Sequence, residues 1–135
     1  MELLYDVNLQ LITDEHLAGQ WRVLSRVLSQ NGPGELIARA ISVDLRAPNR
    51  LTIFAANPDE QQPGAWHMLR DDLLNRPYVA LTLAGADPTR ALVTRLRRAS
   101  TGPARQLTLY FLSGMELVLA AEPDSLTATT STSPV

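Results

Sequence analysis

"DPTRALVTRLRRAS", residues 87–100, is the stretch on which the fold turns. Asp87 before Pro88 places a capping carboxylate ahead of a proline at the first helical position. Leu92, Leu96 and Ala99 then recur at helical spacing, with Val93 at the edge of the stripe. The pattern predicts a helix from Asp87-Pro88 to about Ala99, ended by Gly102-Pro103. On that helix Arg90, Thr94, Arg97 and Arg98 share the polar face and Arg95 flanks it. As a free peptide, Leu96-Arg97-Arg98-Ala99-Ser100 has the form read by basophilic kinases. In a helix Leu96 and Ala99 belong to the core side and Ser100 to the last turn, so the native protein is expected to resist phosphorylation there.

Two more helices follow the same logic. Thr13 is a good N-cap, Asp14 and Glu15 suit the first turn, and Leu17, Trp21, Leu24 and Leu28 form a stripe that Asn31-Gly32-Pro33-Gly34 ends. Residues 65–76 carry Trp66, Leu69 and Leu73 on one side, and Pro77 stops them.

Between the helices lie strand patterns. Leu3, Tyr5, Val7, Leu9 and Leu11 alternate with polar residues, the mark of a half-buried strand. Leu36 to Leu45 and Leu51 to Ala56 flank a turn at Ala47-Pro48-Asn49. Tyr78 to Ala84, Gln106 to Leu112 and Met115 to Ala121 complete the set, the last two joined at Ser113-Gly114. The order β-α-β-β-α-β-α-β-β predicts an α/β (α+β) two-layer sandwich with a mixed or antiparallel sheet. Residues 1–122 form its single domain, and residues 123–135 a disordered Ser/Thr-rich tail.

The first six elements resemble a ferredoxin-like βαββαβ arrangement. The whole order is similar to a shortened acetyltransferase, which implies a loop that binds pyrophosphate through backbone amides ahead of the central helix. Gln61 and Gly64 fit that loop's spacing. Trp66 stands where a tiny residue belongs, and Pro63 removes an amide.

Composition narrows the function classes. The chain of 135 residues is 45% hydrophobic, enough for one core without covalent staples. It has no cysteine, which excludes disulfides, thiolate metal sites and a thiol nucleophile. The start MELLYDVNLQL is not a signal peptide, and no apolar run reaches membrane-spanning length, so a cytoplasmic location is expected. All 12 cations are arginine, yet the net charge is −2, which disfavours nucleic acid as a partner. His67 and Asp71 are i,i+4 on the second helix, a pair too small for a metal site, and His16 reads as a surface residue. No metal and no cofactor is expected.

Sorting the strands by parity leaves one aliphatic face for the helices. The other is an open face bearing Phe54, Tyr78 and Tyr110. The leading expectation is a non-catalytic protein-interaction or small-ligand-binding module, a homodimer through that open face or an edge strand. A small enzyme binding an acyl or nucleotide cofactor is one alternative. The other is a nucleic-acid binder using Arg90, Arg97 and Arg98 on the third helix, a face that also forms a candidate anion site.

Overall fold

The computed structural model describes residues 3–27, 39–56, 60–83 and 88–121. Its elements are β1 (Leu4–Asp6), a 3-10 turn (Leu9–Leu11), α1 (Asp14–Leu17), β2 (Gly19–Val27), β3 (Ala40–Arg46), β4 (Arg50–Ala55), β5 (Gln61–Arg70), β6 (Pro77–Leu83), β7 (Thr89–Ala99), β8 (Arg105–Phe111) and β9 (Glu116–Ala121). Strands β2 to β9 pair antiparallel in chain order, and β9 returns to pair with β2 from Trp21↔Ala121 to Val27↔Glu116. The result is a closed, eight-stranded, up-and-down barrel. Strand β1 lies outside the ring on β7, with Leu4↔Ala99, Tyr5↔Arg98 and Asp6↔Arg97 in register.

The α/β sandwich expectation is therefore overturned. Among the described residues the only α-helix is the single turn of α1, and residues 65–70 and 89–99 are strand. The predicted Asp87 cap lies outside the described residues, as does the tail.

The physical reason for the β7 error is a bulge. Register shifts by one residue between Val93 and Arg95, so the buried positions run Ala91, Val93 and then Leu96, with Ala99 buried at the strand's end. An inserted residue turns a period of two into a spacing of three, which imitates a helix. Strand β2 has the same defect between Val23 and Ser25. There Trp21 is fully buried while Leu24, placed on the predicted helical stripe, points to solvent.

Glycines reinforce the strand geometry at two points. α1 ends at Leu17, its cap residue Ala18 is extended, and Gly19 follows at φ +143°, a conformation suited to glycine at the start of β2. A Cβ on Gly64 would lie 2.3 Å from the Thr82 carbonyl oxygen, so only glycine lets β5 approach β6 there.

Eight strands enclose a lumen just wide enough for side chains to fill. Trp21, Leu51, Ile53, Trp66, Leu96, Leu107, Phe111, Leu117 and Leu119 fill it, each at most 2% exposed. Because the strands alternate in direction, the turns at 47–49, 71–76 and 100–104 share one end, called the lower end. The N-terminal segment closes that end, burying Ile12 and Leu17.

Polar bonds tie this cap to the barrel. Arg70 donates to the carbonyls of Leu9 (3.2 Å) and Ile12 (2.6 Å). Arg105 donates to the carbonyls of His16 and Ala18, with its guanidinium 4.7 Å from the Trp21 ring centroid. The Trp21 indole N–H donates to the Leu17 carbonyl at 2.8 Å.

Gly19 tests this junction. A Cβ there meets a guanidinium nitrogen of Arg105 at 2.6 Å as well as the unfavourable φ. Gly19→Ala should lower stability by about 1–3 kcal/mol in urea denaturation; an unchanged midpoint would contradict the packing described.

Candidate functional site

Two surfaces gather polar and aromatic side chains, one on the barrel's outer wall and one at its lower end. On the wall, strand alternation turns Leu69, Tyr78, Leu92 and Tyr110 outward. Register then sets them side by side across β5 to β8: Leu69↔Tyr78, Tyr78↔Leu92, Leu92↔Tyr110. Leu69 and Tyr110 are each 44% exposed and Leu112, just past β8, is 80% exposed. The Arg90 guanidinium lies 5.4 Å from the Tyr78 ring centroid, a cation–π contact. Glu116 continues the row as the register partner of Tyr110.

The face predicted from the sequence is thus split. Tyr78 and Tyr110 share one row through Leu92. Phe54 points outward from β4 opposite Ser42 and Gln61, at the far end of β5 from Leu69 and so outside the row. No open second layer exists, because one face of the closed sheet is the lumen and the other is the outer wall.

The arginines are divided too. In a strand, Arg90 and Arg98 stand roughly 25 Å apart, so the predicted helical face bearing Arg90, Arg97 and Arg98 does not form. Arg90 belongs to the wall. Arg97 is half-buried beside Asp6, with its Nε enclosed and unpartnered. Arg98 belongs to the lower end.

There, a groove of about 440 Å³ is lined by Tyr5, Asp6, Val7, Leu11, His16, Arg98, Ala99 and Ser100. A second hollow of about 310 Å³, lined by Glu15, His16, Leu96, Arg98 and Arg105, shares His16 and Arg98 with it. Three pieces of chain build the groove. Strand β1 and the residue after it supply Tyr5, Asp6 and Val7, the cap supplies Leu11 and His16, and the end of β7 with the residue after it supplies Arg98, Ala99 and Ser100.

The polar groups here have defined roles. His16 Nδ1 accepts the Thr13 backbone N–H at 3.0 Å, so in the neutral ring Nε2 carries the proton. Both Asp6 oxygens accept from Arg95, at 2.8 and 3.3 Å. That hydrogen bonding holds the Asp6 carboxyl below its ordinary pKa of 3.8. Burial pulls the Arg105 guanidinium below the usual arginine value. The Arg98 guanidinium has no partner among the described residues.

His16, read from the sequence as a surface residue, is half-buried between the two hollows. The signal available was its place three residues after Thr13. That is the capping-box position, where a side chain reaches back to the cap N–H.

Other expectations resolve differently. His67 and Asp71 do not pair on a helix, since His67 is outward on β5 and Asp71 lies in the following turn. Asp71 instead accepts from the Leu74 and Arg76 backbone N–H groups at 2.6 and 3.2 Å, the first of which chiefly lowers its pKa. Gln61 and Gly64 are strand residues with no helix after them, so the pyrophosphate loop implied by the acetyltransferase-like order is not formed. Ser100 is exposed, but Arg97 and Arg98 before it pair with both β1 and β8 and are not available as a free extended peptide. Among the described residues no cluster of three or more His, Asp or Glu side chains is placed to hold a metal, and no helix is long and apolar enough to cross a membrane.

No family model matches this chain, and no curated protein or solved structure is significantly similar to it.

Lowered carboxyl pKa values fix the sign of the acid response. Asp6 and Asp71 have folded pKa values below their unfolded ones, so their contribution is present above about pH 4 and is lost as pH falls through the folded values. Asp71→Asn should flatten the decline of the denaturation midpoint between about pH 4 and pH 2; an unaltered slope would count against the turn carboxylate.

Proposed function

We propose that this chain is a non-catalytic interaction module that forms a homodimer through the outer wall of β6 to β9, in a cytoplasmic setting. The observation that carries this reading is the register that lines up Leu69, Tyr78, Leu92 and Tyr110 on one stretch of wall. A contiguous row in which Leu69 and Tyr110 are exposed and Tyr78 and Leu92 half-buried supports reading this wall as a contact surface.

Charge placement favours a second copy as that partner. Arg90 lies over Tyr78 toward one side of the row and Glu116 stands beside Tyr110 on the other. A twofold axis running along the strands between β7 and β8 lays one copy's Tyr78 and Arg90 opposite the other's Glu116, twice over. The contact is self-complementary, as a closed dimer requires. The wall is convex, so Leu92 and Tyr110 make the centre and the longer Arg and Glu side chains reach across the flanks.

Sedimentation of the full chain should give a dimer at micromolar concentration. Tyr110→Asp should give a monomer with an unchanged circular dichroism spectrum. Glu116→Arg should weaken the dimer, and adding Arg90→Glu should restore it. A wild-type monomer throughout, or a double variant no better than the single, would contradict the arrangement.

A further inference from the structure

We infer that the lower-end groove is a binding site for a small carboxylate carried on an apolar body. The site is independent of the proposed dimer wall: along β7, Arg98 is six residues, or roughly 20 Å, from Leu92.

The groove is two-sided in chemistry. One part is Tyr5, Val7, Leu11 and Ala99, which favour an apolar group. The other is Arg98, His16 and Ser100, which offer donors. At about 440 Å³ its volume falls within the usual range for small-molecule sites.

Each donor is free for a ligand. Arg98 has no partner among the described residues, although its register neighbour Arg105 is committed to the His16 and Ala18 carbonyls. Its planar guanidinium suits a carboxylate in bidentate geometry. The Thr13 bond to His16 Nδ1 leaves the Nε2–H as a donor. Ser100 adds a hydroxyl at the same rim.

The acids nearby set the ligand's charge. Asp6 also lines the groove, but both its oxygens are satisfied by Arg95. Glu15 lies in the adjoining hollow beside Arg105. One uncommitted guanidinium therefore faces the groove, and it matches a monoanion better than a phosphate dianion, which the flanking carboxylates repel.

The site also explains the shape of this end of the molecule. Strand β1 is short and adds nothing to the closure of the ring, yet it supplies two of the lining residues, Tyr5 and Asp6, and leads into a third, Val7. Without it Arg98 would stand on bare surface.

The test is an amide-detected NMR titration of the full chain with 3-phenylpropionate, run beside 3-phenylpropionamide and inorganic phosphate. Saturable shifts are expected at Tyr5, His16, Arg98 and Ser100 with the carboxylate, and little response to the neutral amide. Arg98→Gln, an exposed site whose folding the same spectrum reports, should weaken binding at least about tenfold. Tyr110→Asp should leave it unchanged. Equal shifts with acid and amide, shifts only outside the groove, tighter binding of phosphate, no response by about 20 mM, or an Arg98→Gln variant that binds as well as wild type would each overturn the assignment.

Discussion

The pairing of β9 with β2 is the constraint on which the rest of the molecule depends. Six register pairs, from Trp21↔Ala121 to Val27↔Glu116, join the two ends of an eight-strand meander and remove its edges. Closure commits one side of every strand to a lumen that holds only side chains. It commits the other side to the outer wall. Among the described residues two tryptophans, a phenylalanine and a set of leucines occupy the lumen. The polar and aromatic groupings described above lie on the wall and at the lower end of the barrel.

At the lower end the same constraint is solved by a cation. Arg105 has the inward parity of Leu107 and Leu109, yet sits at the mouth, where it donates to two carbonyls of the cap and stacks on Trp21. Those bonds replace the hydration that burial removes. They also fix the His16 backbone, and so the ring that separates the two hollows. The cap is thus both the closure of the core and a wall of the groove. Strand β1 continues this work by covering the part of β7 that β6 does not reach, since β6 pairs with Thr89 to Leu92 and β1 with Arg97 to Ala99.

Much of the strand pattern was legible in the sequence, and two of the three misread helices, those over β2 and β7, share one cause. The aliphatic parity set, which includes Val43, Leu51, Ile53, Val79, Leu81, Leu107, Leu109, Phe111, Leu117 and Leu119, lies in the lumen as one face. Three of its members fall elsewhere: Val7 and Leu9 lie in the N-terminal segment outside the ring, and Ile41 is 48% exposed because a register shift between Ala40 and Ser42 turns it outward. Bulges in β2 and β7 likewise changed the spacing of buried residues from two to three and imitated helices. Thr13 did start a helix, but it stops after one turn at Leu17, where Ala18 is extended and leads into β2 at Gly19. Of the three aromatics assigned to one surface, Tyr78 and Tyr110 lie together and Phe54 does not. Closure of a sheet is not encoded in any local pattern, so nothing in the sequence distinguished an open face from the outside of a barrel. For the same reason Arg98 and His16, 82 residues apart in the chain, gave no sign of sharing a groove.

The central claim is that residues 89–99 are a barrel strand that places Leu92 between Tyr78 and Tyr110. Nuclear Overhauser contacts measured on the full chain test it most directly. The closed barrel predicts cross-strand contacts from Leu92 to both Tyr78 and Tyr110, and from Trp21 to Ala121, with extended backbone shifts across 89–99. Helical shifts and i,i+3 contacts across that stretch, with no contact between Trp21 and Ala121, would contradict it.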